Sequence, residues 1–426
     1  MTTAAAPLLA LAHQAHDRTI PPQGRRGMTS VCSAHPLVLE AALSRAAQTG
    51  RPVLIEATCN QVNQEGGYTG MTPVAFRDMV WEIARQVGCD RDLILLGGDH
   101  LGPNPWKSLP AADAMERARA MVRAYAEAGF VKLHLDASMG CLGEAAALSD
   151  EIVAERACGL AAAAEGVRPG QAAYVIGTEV PVPGGVADAL DHLRPTAPAA
   201  ALQTLRIHQD MFTTALGEDV WERVIALVVQ PGVEFGVDNV AFYRRDAARD
   251  LIDTLPRMPG LVFEAHSTDY QPAGALRELV EDGFAILKVG PGLTFALREA
   301  LYALDGIRAV LRPGGESLHV TMNRLMTDRP GYWTGHYAGT AQQVAWLRHY
   351  SYSDRIRYYW ALPEAREAVE KLFSDLGETG LPDPLLSQFL PGLYEQIRTG
   401  HIPRDPRQIA IEAVKTVLCL YDGAAR

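Results

Sequence analysis

Short runs of apolar residues alternate with longer amphipathic stretches along most of the chain. Each run ends near glycine, proline, asparagine or aspartate, and its apolar character is nearly continuous. Such runs between helical stretches are typical of parallel strands that are buried on both faces. The pattern predicts eight strands, at 28–33, 52–58, 93–100, 131–136, 173–179, 225–230, 261–266 and 285–290.

Eight strand-then-helix units predict a closed (β/α)8 barrel, the TIM-barrel member of the α/β class. An open sheet of six or seven strands is the alternative, because short strands are easily miscounted. Beyond residue 312 the rhythm changes to a loop-like stretch at 322–339 and then to helical patterns at 341–350, 356–360, 363–376, 385–399 and 406–421. We therefore expect an N-terminal segment (1–27), a barrel (28–311) and a helical extension packed on the barrel (312–426).

Composition narrows the possible functions. Of the 426 residues, 48% are hydrophobic and 21% charged, so a large core can form; the net charge of −11 argues against binding to nucleic acid or anionic membranes. A small anionic ligand remains possible. The six cysteines form no CxxC pair, which indicates reduced thiols in a cytoplasmic protein. Neither a signal peptide nor a membrane span is expected.

The strongest candidate chemistry follows the third and seventh strands. Asp99 and His100 end the third strand after two glycines, and Glu264 and His266 occupy alternate positions of the seventh, so they share a face. In this fold the active site lies at the carboxyl ends of the strands. Histidines there are good metal ligands, and a neighbouring carboxylate can act as acid or base.

Three other strand ends carry polar groups. Glu179 ends the fifth strand, and one carboxylate with two imidazoles is a reasonable zinc set. On the fourth strand, Asp136 is the candidate acid or base, whereas His134 is interpreted as a hydrogen-bonded interior residue. Asn60 and Gln61 follow the second strand, where they either bind sugar hydroxyls or form an ordinary turn.

The last strand leads through glycines into a helix, at 288–294 (KVGPGLT). Gly290, Gly292 and Thr294 at such a helix N-terminus predict a phosphate cradle of backbone N–H groups, with a tight turn as the alternative. The chain contains no GxSxG elbow, no P-loop and no dinucleotide fingerprint.

Four segments together resemble the GatZ/KbaZ family, over about residues 8–420: 98–106 (GDHLGPNPW), 263–269 (FEAHSTD), 288–294 (KVGPGLT) and 351–360 (SYSDRIRYYW). The resemblance implies an aldolase-type TIM barrel. It also implies one of two functions. The chain is either the non-catalytic second subunit of class II tagatose-1,6-bisphosphate aldolase, or a free-standing 4-epimerase that interconverts D-tagatose 6-phosphate and D-fructose 6-phosphate.

The same resemblance suggests residue roles. In the catalytic class II aldolases, the aspartate that matches Asp99 donates and accepts protons, and histidines that match His100 and His266 bind zinc. Their third zinc histidine, near the end of strand six, has no match, because 228–234 reads VVQPGVE. We expect Glu179 as the third ligand of a divalent metal, zinc being the expected ion, with Glu234 in reserve; the missing histidine also allows a relic site.

The resulting prediction is a 4-epimerase of galactitol and tagatose catabolism that works by metal-assisted retro-aldol cleavage at C3–C4. Catalysis is assigned to Asp99, Asp136 and Glu264, and substrate or phosphate binding to Asn60, Ser267, Gly290, Gly292, Thr294, Arg355 and Arg357. The alternatives are the accessory aldolase subunit and a lyase or epimerase of another ketose. The expected partners are a ketose phosphate, a catalytic aldolase subunit under the accessory alternative, and further copies of the chain in a homo-oligomer.

Overall fold

A computed structural model describes residues 5–14, 16–17, 19–177 and 193–426. Eight parallel strands close into a barrel in which each strand pairs with its neighbours in the chain and the last pairs with the first. They are β1 Met28–Cys32, β2 Val53–Thr58, β3 Ile94–Leu101, β4 Lys132–Leu135, β5 Ala173–Ile176, β6 Val224–Val228, β7 Val262–Ala265 and β8 Phe284–Val289. The predicted barrel is confirmed, and the open sheet is excluded.

Helices surround the barrel: α1 Ala6–Gln14, α2 Pro36–Thr49, α3 Pro73–Val87, α4 Ala111–Glu127, α5 Asp150–Glu165, α6 Pro198–Leu216, α7 Glu218–Trp221, α8 Arg245–Ile252, α9 Ala273–Glu281 and α10 Pro291–Leu311. Local chemistry sets their ends. The Thr72 side chain accepts a hydrogen bond from the Ala75 N–H at the start of α3, and Gly88 ends that helix in the left-handed conformation.

The extension contains α11 Leu318–Asp328, α12 Ala341–Tyr350, α13 Pro363–Thr379, α14 Asp383–Phe389, α15 Pro391–Arg398 and α16 Pro406–Ala424. The helical prediction is confirmed for the region, but α11 covers residues that we predicted as loop. Its apolar residues Leu318, Met322 and Leu325 lie at helical spacing and are buried. Helix α16 packs against α2, α9 and α10, so the extension shares the hydrophobic core that surrounds the barrel.

The N-terminal segment closes one end of the barrel. Leu8 and Leu11 of α1 pack into a second apolar cluster with Met28, Leu54 and Ile286, which project into the barrel near the amino ends of their strands. With this end filled by apolar side chains, a polar ligand can enter only from the carboxyl ends. Within the described residues, no helix is both long and apolar enough to cross a membrane.

Candidate active site

Four side chains converge at the carboxyl end of the barrel: Asp99, His100, His134 and His266. Each offers a ligand atom, and these atoms all lie within 4.8 Å of one another. The ring centroids of His100 and His266 are 4.8 Å apart, and His134 lies 4.9 and 5.2 Å from them. The structure therefore brings together the two histidines that the sequence singled out. His134 lies beside them as the hydrogen-bonded interior residue that we expected, fully buried and with its Nε2 3.0 Å from the Gly177 carbonyl oxygen.

His100 is held by Asp136. It adopts a left-handed backbone with φ of 47°, which is costly for a residue with a side chain and is typical of functional sites. Its Nδ1 lies 2.8 Å from Asp136 Oδ2, and Ser138 Oγ donates to the other oxygen of that carboxylate. Carboxylates in this position orient metal-binding histidines. Asp136, predicted as an acid or base, is thus placed to position His100.

Asp99 lies between the histidines and a lysine. Its Oδ1 is 3.0 Å from His134 Nδ1, and its carboxylate also pairs with the Lys288 ammonium. Burial alone would raise the pKa of Asp99, but the charges of His100 and Lys288 outweigh it and hold the pKa well below its usual range. Asp99 is therefore ionised at neutral pH, and it lines the cavity.

Glu264 orients His266 from the interior of the barrel. Its Oε1 lies 2.9 Å from His266 Nε2, and its Oε2 lies 2.7 Å from the buried Lys132 ammonium. Burial lowers the pKa of His266 to about 3, so its imidazole is neutral, the form that binds metals. Glu264 is fully buried and is absent from the described cavity lining. This placement favours positioning over the catalytic contact that we predicted for it.

A buried set of charges supports the donors from inside the barrel. Lys132 Nζ lies 2.8 Å from Glu56 Oε1, and Lys288 Nζ lies 2.8 Å from Glu56 Oε2. Sequence reasoning gave no role to these three residues. The signal was present, because Glu56 and Lys288 interrupt otherwise apolar strands and a buried charge must be paired.

A cavity of about 180 Å³ is lined by Asp99, His100 and His266, and His134 is fully buried beside them. The loop after β2 contributes Asn60, Gln61 and Tyr68, and the helical extension contributes Arg357 and Tyr358. Gln61 Oε1 accepts the Thr58 N–H, so this side chain also orders the turn. The extension therefore reaches the mouth, as the assignment of its arginines required. We predicted neither Tyr68 nor Tyr358 as a site residue.

Arg355 differs from its neighbour Arg357. It is buried, its Nε donates to the Tyr332 carbonyl, and it is absent from the described lining of the cavity. The Arg357 guanidinium donates to the backbone carbonyl of Asp354 at 3.1 Å and to the Tyr358 hydroxyl at 3.1 Å. Of the two predicted arginines, the structure places Arg357 at the site.

The predicted phosphate cradle is already filled by the chain itself. The N–H groups of Gly290 and Gly292 donate to Asp269 Oδ1 at 3.0 and 2.7 Å, and Thr294 Oγ donates to Asp354 Oδ2 at 2.5 Å. This corrects the expectation that these groups are available to a ligand. Ser267, with φ of 51°, does line the cavity.

Two carboxylates were proposed from sequence as the third ligand, Glu179 and, in reserve, Glu234. Glu179 lies outside the described residues. Glu234 is buried and its Oε1 accepts the Phe235 N–H at 2.9 Å. Gln230, in the segment that lacks the expected histidine, accepts the N–H groups of Gly232 and Val233 and so orders a turn.

The donor set fits a divalent metal. Imidazole nitrogens and a carboxylate oxygen at this spacing match the ligands that zinc and other first-row transition ions prefer. His100 and His266 are each oriented by a carboxylate, as metal-ligating histidines usually are.

Comparisons with known proteins indicate the family of this chain. The family model described as D-tagatose-1,6-bisphosphate aldolase subunit GatZ/KbaZ-like matches residues 14–426. A protein of Agrobacterium fabrum (strain C58), named D-tagatose 6-phosphate 4-epimerase, is 53% identical over 404 residues, which span 93% of this chain and 94% of that protein. A crystal structure described as a probable tagatose 6 phosphate kinase from Sinorhizobium meliloti 1021 has a TM-score of 0.88 and 53% identity, and the match covers 94% of this chain and all of that one.

Proposed function

Since the chain belongs to the D-tagatose-1,6-bisphosphate aldolase subunit GatZ/KbaZ-like family, we propose that it is a 4-epimerase that interconverts D-tagatose 6-phosphate and D-fructose 6-phosphate. The observation that carries this proposal is the convergence of Asp99, His100 and His266 on one cavity, with the His134 imidazole buried next to them. The 53% identity to a protein named for this activity supports it.

His100 and His266 would hold a divalent cation beside Asp99, with Glu179 as the third ligand suggested by the sequence, and we propose zinc. Bound there, the cation supplies Lewis-acid chemistry that polarises the ketose carbonyl. Asp136 and Glu264 set the orientation of these two imidazoles, so both are positioned before substrate arrives.

The chain's own acid–base chemistry centres on Asp99. Its carboxylate accepts the proton of the C4 hydroxyl; the C4–O electrons form a carbonyl as the C3–C4 bond breaks, and the bond pair moves toward C2 as an enediolate. After the aldehyde has turned to present its other face, the bond forms again, and Asp99 returns the proton to the C4 oxygen. The inversion at C4 thus consumes no cofactor.

Lys288 supports this step as a fixed positive charge. Burial would lower its pKa, but Asp99 and Glu56 outweigh that effect and raise the pKa well above its ordinary value. A protonated amine is not a nucleophile, so the geometry does not favour a Schiff base at Lys288. Its ammonium instead keeps Asp99 ionised and faces the negative charge that develops on the substrate.

The mouth supplies the groups for the rest of the sugar phosphate. We propose that Arg357 receives the C6 phosphate, because it is the guanidinium among the described lining residues. Asn60 is exposed at the cavity and offers an amide to sugar hydroxyls, while Tyr68 and Tyr358, with ring centroids 4.8 Å apart, form an aromatic wall. Ser267 adds a hydroxyl.

The accessory-subunit reading remains the second candidate. The family description itself names an aldolase subunit, and residues 228–234 lack the histidine that catalytic class II aldolases carry. As an accessory subunit, the chain would stabilise a catalytic partner and would convert no substrate on its own. In either case we place the protein in cytoplasmic carbohydrate catabolism and expect a homo-oligomer; the six cysteines are all free thiols.

The deciding experiment is incubation of the purified protein with fructose 6-phosphate and zinc, without ATP or a partner, followed by NMR. Formation of tagatose 6-phosphate supports the proposal, and in D₂O a retro-aldol route leaves the hydrogen at C4 unexchanged. No conversion would contradict the proposal. Aldolase activity that appears only with an added partner would support the accessory role, and conversion that requires ATP would support a kinase.

A further inference from the structure

Asp269 occupies an unusual place in the barrel. It follows β7 by four residues, is 2% exposed, and lines the cavity. Its Oδ1 accepts two backbone N–H groups at the start of α10, those of Gly290 at 3.0 Å and Gly292 at 2.7 Å. The contact is tight, since a Cβ added at Gly292 would lie 3.0 Å from that oxygen.

This position is where barrels of this fold frequently hold a phosphate. The loops after the seventh and eighth strands and a helix N-terminus provide N–H groups and the positive end of a helix dipole. Here a carboxylate of the chain uses those N–H groups instead. Burial raises the pKa of Asp269 to about 6, so the group is an anion at pH 8.

A sugar bisphosphate must place two dianions at the two ends of one short molecule. The described lining offers one guanidinium, that of Arg357. A second phosphate near the ends of β7 and β8 would displace or face the Asp269 carboxylate, and two like charges brought together at a binding site repel each other and weaken binding. A hydroxyl at the same place can donate a hydrogen bond to a carboxylate.

We propose that Asp269 is a specificity residue that excludes a second phosphate and so restricts the site to ketose monophosphates that carry a free C1 hydroxyl. The inference rests on the proposed function for the identity of the ketose. The description of the family refers to a 1,6-bisphosphate, which makes the distinction consequential for this chain.

The test compares ligand binding by the metal-loaded full-length protein at pH 8, using calorimetric titration with fructose 6-phosphate, fructose 1,6-bisphosphate and inorganic phosphate. Asp269→Ser removes the carboxylate and exposes the two N–H groups, and Asp269→Asn removes only the charge. Asp253→Ser, at an exposed position outside the described cavity lining, makes the same change in net charge. Circular dichroism and thermal melting confirm that each variant folds.

The wild type should bind the bisphosphate at least about 100-fold more weakly than the monophosphate. Asp269→Ser should reduce the ratio of the two sugar affinities at least about tenfold, and it should bind inorganic phosphate more tightly than the wild type. Asp269→Asn should show a smaller gain in phosphate affinity. Asp253→Ser should show no gain. Equal affinity of the wild type for both sugars overturns the proposal even if both Asp269 variants fail to fold. An unchanged ratio in folded variants overturns it as well.

Failure of the proposed function gives a different pattern. In that case the wild type converts no fructose 6-phosphate and binds neither sugar. The inorganic phosphate titration still reports on Asp269: a gain in Asp269→Ser over wild type supports a blocked cradle, and no gain refutes it.

Discussion

The two ends of this barrel are made by the same strands yet have opposite chemistry. Along β7, alternate inward positions are Val262, Glu264 and then His266, and β2 passes likewise from Leu54 to Glu56. Near the amino ends these positions are apolar and α1 packs on them, whereas near the carboxyl ends they are charged or metal-binding. Moving two residues along a strand therefore leads from an apolar position of the barrel floor to a charged position near the site.

The difference shows how each end obtains its order. The apolar end is stabilised by area removed from water. The charged end costs desolvation free energy, and buried ion pairs repay it only when every partner is present. We interpret the network of Glu56, Lys132, Glu264 and Lys288 as a means of fixing the histidines and Asp99 rather than as a source of stability.

The largest effect is expected from a substitution in the site at the carboxyl end of the barrel. His100→Ala removes one donor and its Asp136 contact, so bound metal should be lost and turnover of fructose 6-phosphate should fall by about 10³-fold or more. Metal analysis and NMR assays measure the two effects. His401→Ala, at an exposed histidine of the extension, is the control. Turnover at the wild-type level in His100→Ala would show that the site is assigned wrongly.

The buried ion pairs inside the barrel are tested by Lys132→Met. The change leaves Glu56 and Glu264 without the ammonium that lies 2.8 and 2.7 Å from them, so the free energy of unfolding should fall by about 3–5 kcal/mol. Chemical denaturation measures it. Lys371→Met removes an exposed ammonium from Asp375, whose carboxylate still pairs with Arg308 and Arg312, and should cost less than about 1 kcal/mol. Equal losses in the two variants would contradict the interpretation.

The apolar end is tested by Leu8→Ala, which opens a cavity between α1 and the barrel floor. Leu8 is fully buried, and the free energy of unfolding should fall by about 2–5 kcal/mol while metal content stays unchanged. Leu142→Ala, at an exposed leucine, should have little effect. Loss of metal from Leu8→Ala would mean that the two ends are coupled, against the separation drawn above.

The smallest effect concerns pH. Burial, with smaller contributions from His319 and Arg348, lowers the pKa of His349 in α12 to about 3. Between pH 6.5 and 3 the unfolded chain binds a proton here that the folded chain does not, so stability falls on acidification, by up to about 1.4 kcal/mol per pH unit. Denaturation at pH 7, 6 and 5 should show a shallower slope for His349→Asn than for wild type. Identical slopes for His349→Asn and wild type would refute the assignment.

Much of the fold and part of the site were predictable from sequence. Eight apolar runs predicted eight strands, and the alternation of Glu264 and His266 placed both on one face. Helix α11 was missed because the Gly- and Pro-rich stretch that follows it led us to predict a loop over the whole of 322–339. The two lysines were missed because a lone lysine in a strand has no recognisable spacing, although its burial requires a partner.

The sequence by itself determined the barrel, because hydrophobic periodicity is a property of neighbouring residues and is written along the chain. It also determined that Asp99, His100 and His266 lie at strand ends. Only the tertiary structure decided that His134 joins them, that Asp136 and Glu264 orient the donors, and that Asp269 fills the N-terminus of α10. These depend on distances between side chains that are tens to hundreds of residues apart, which barrel closure sets and no local pattern records.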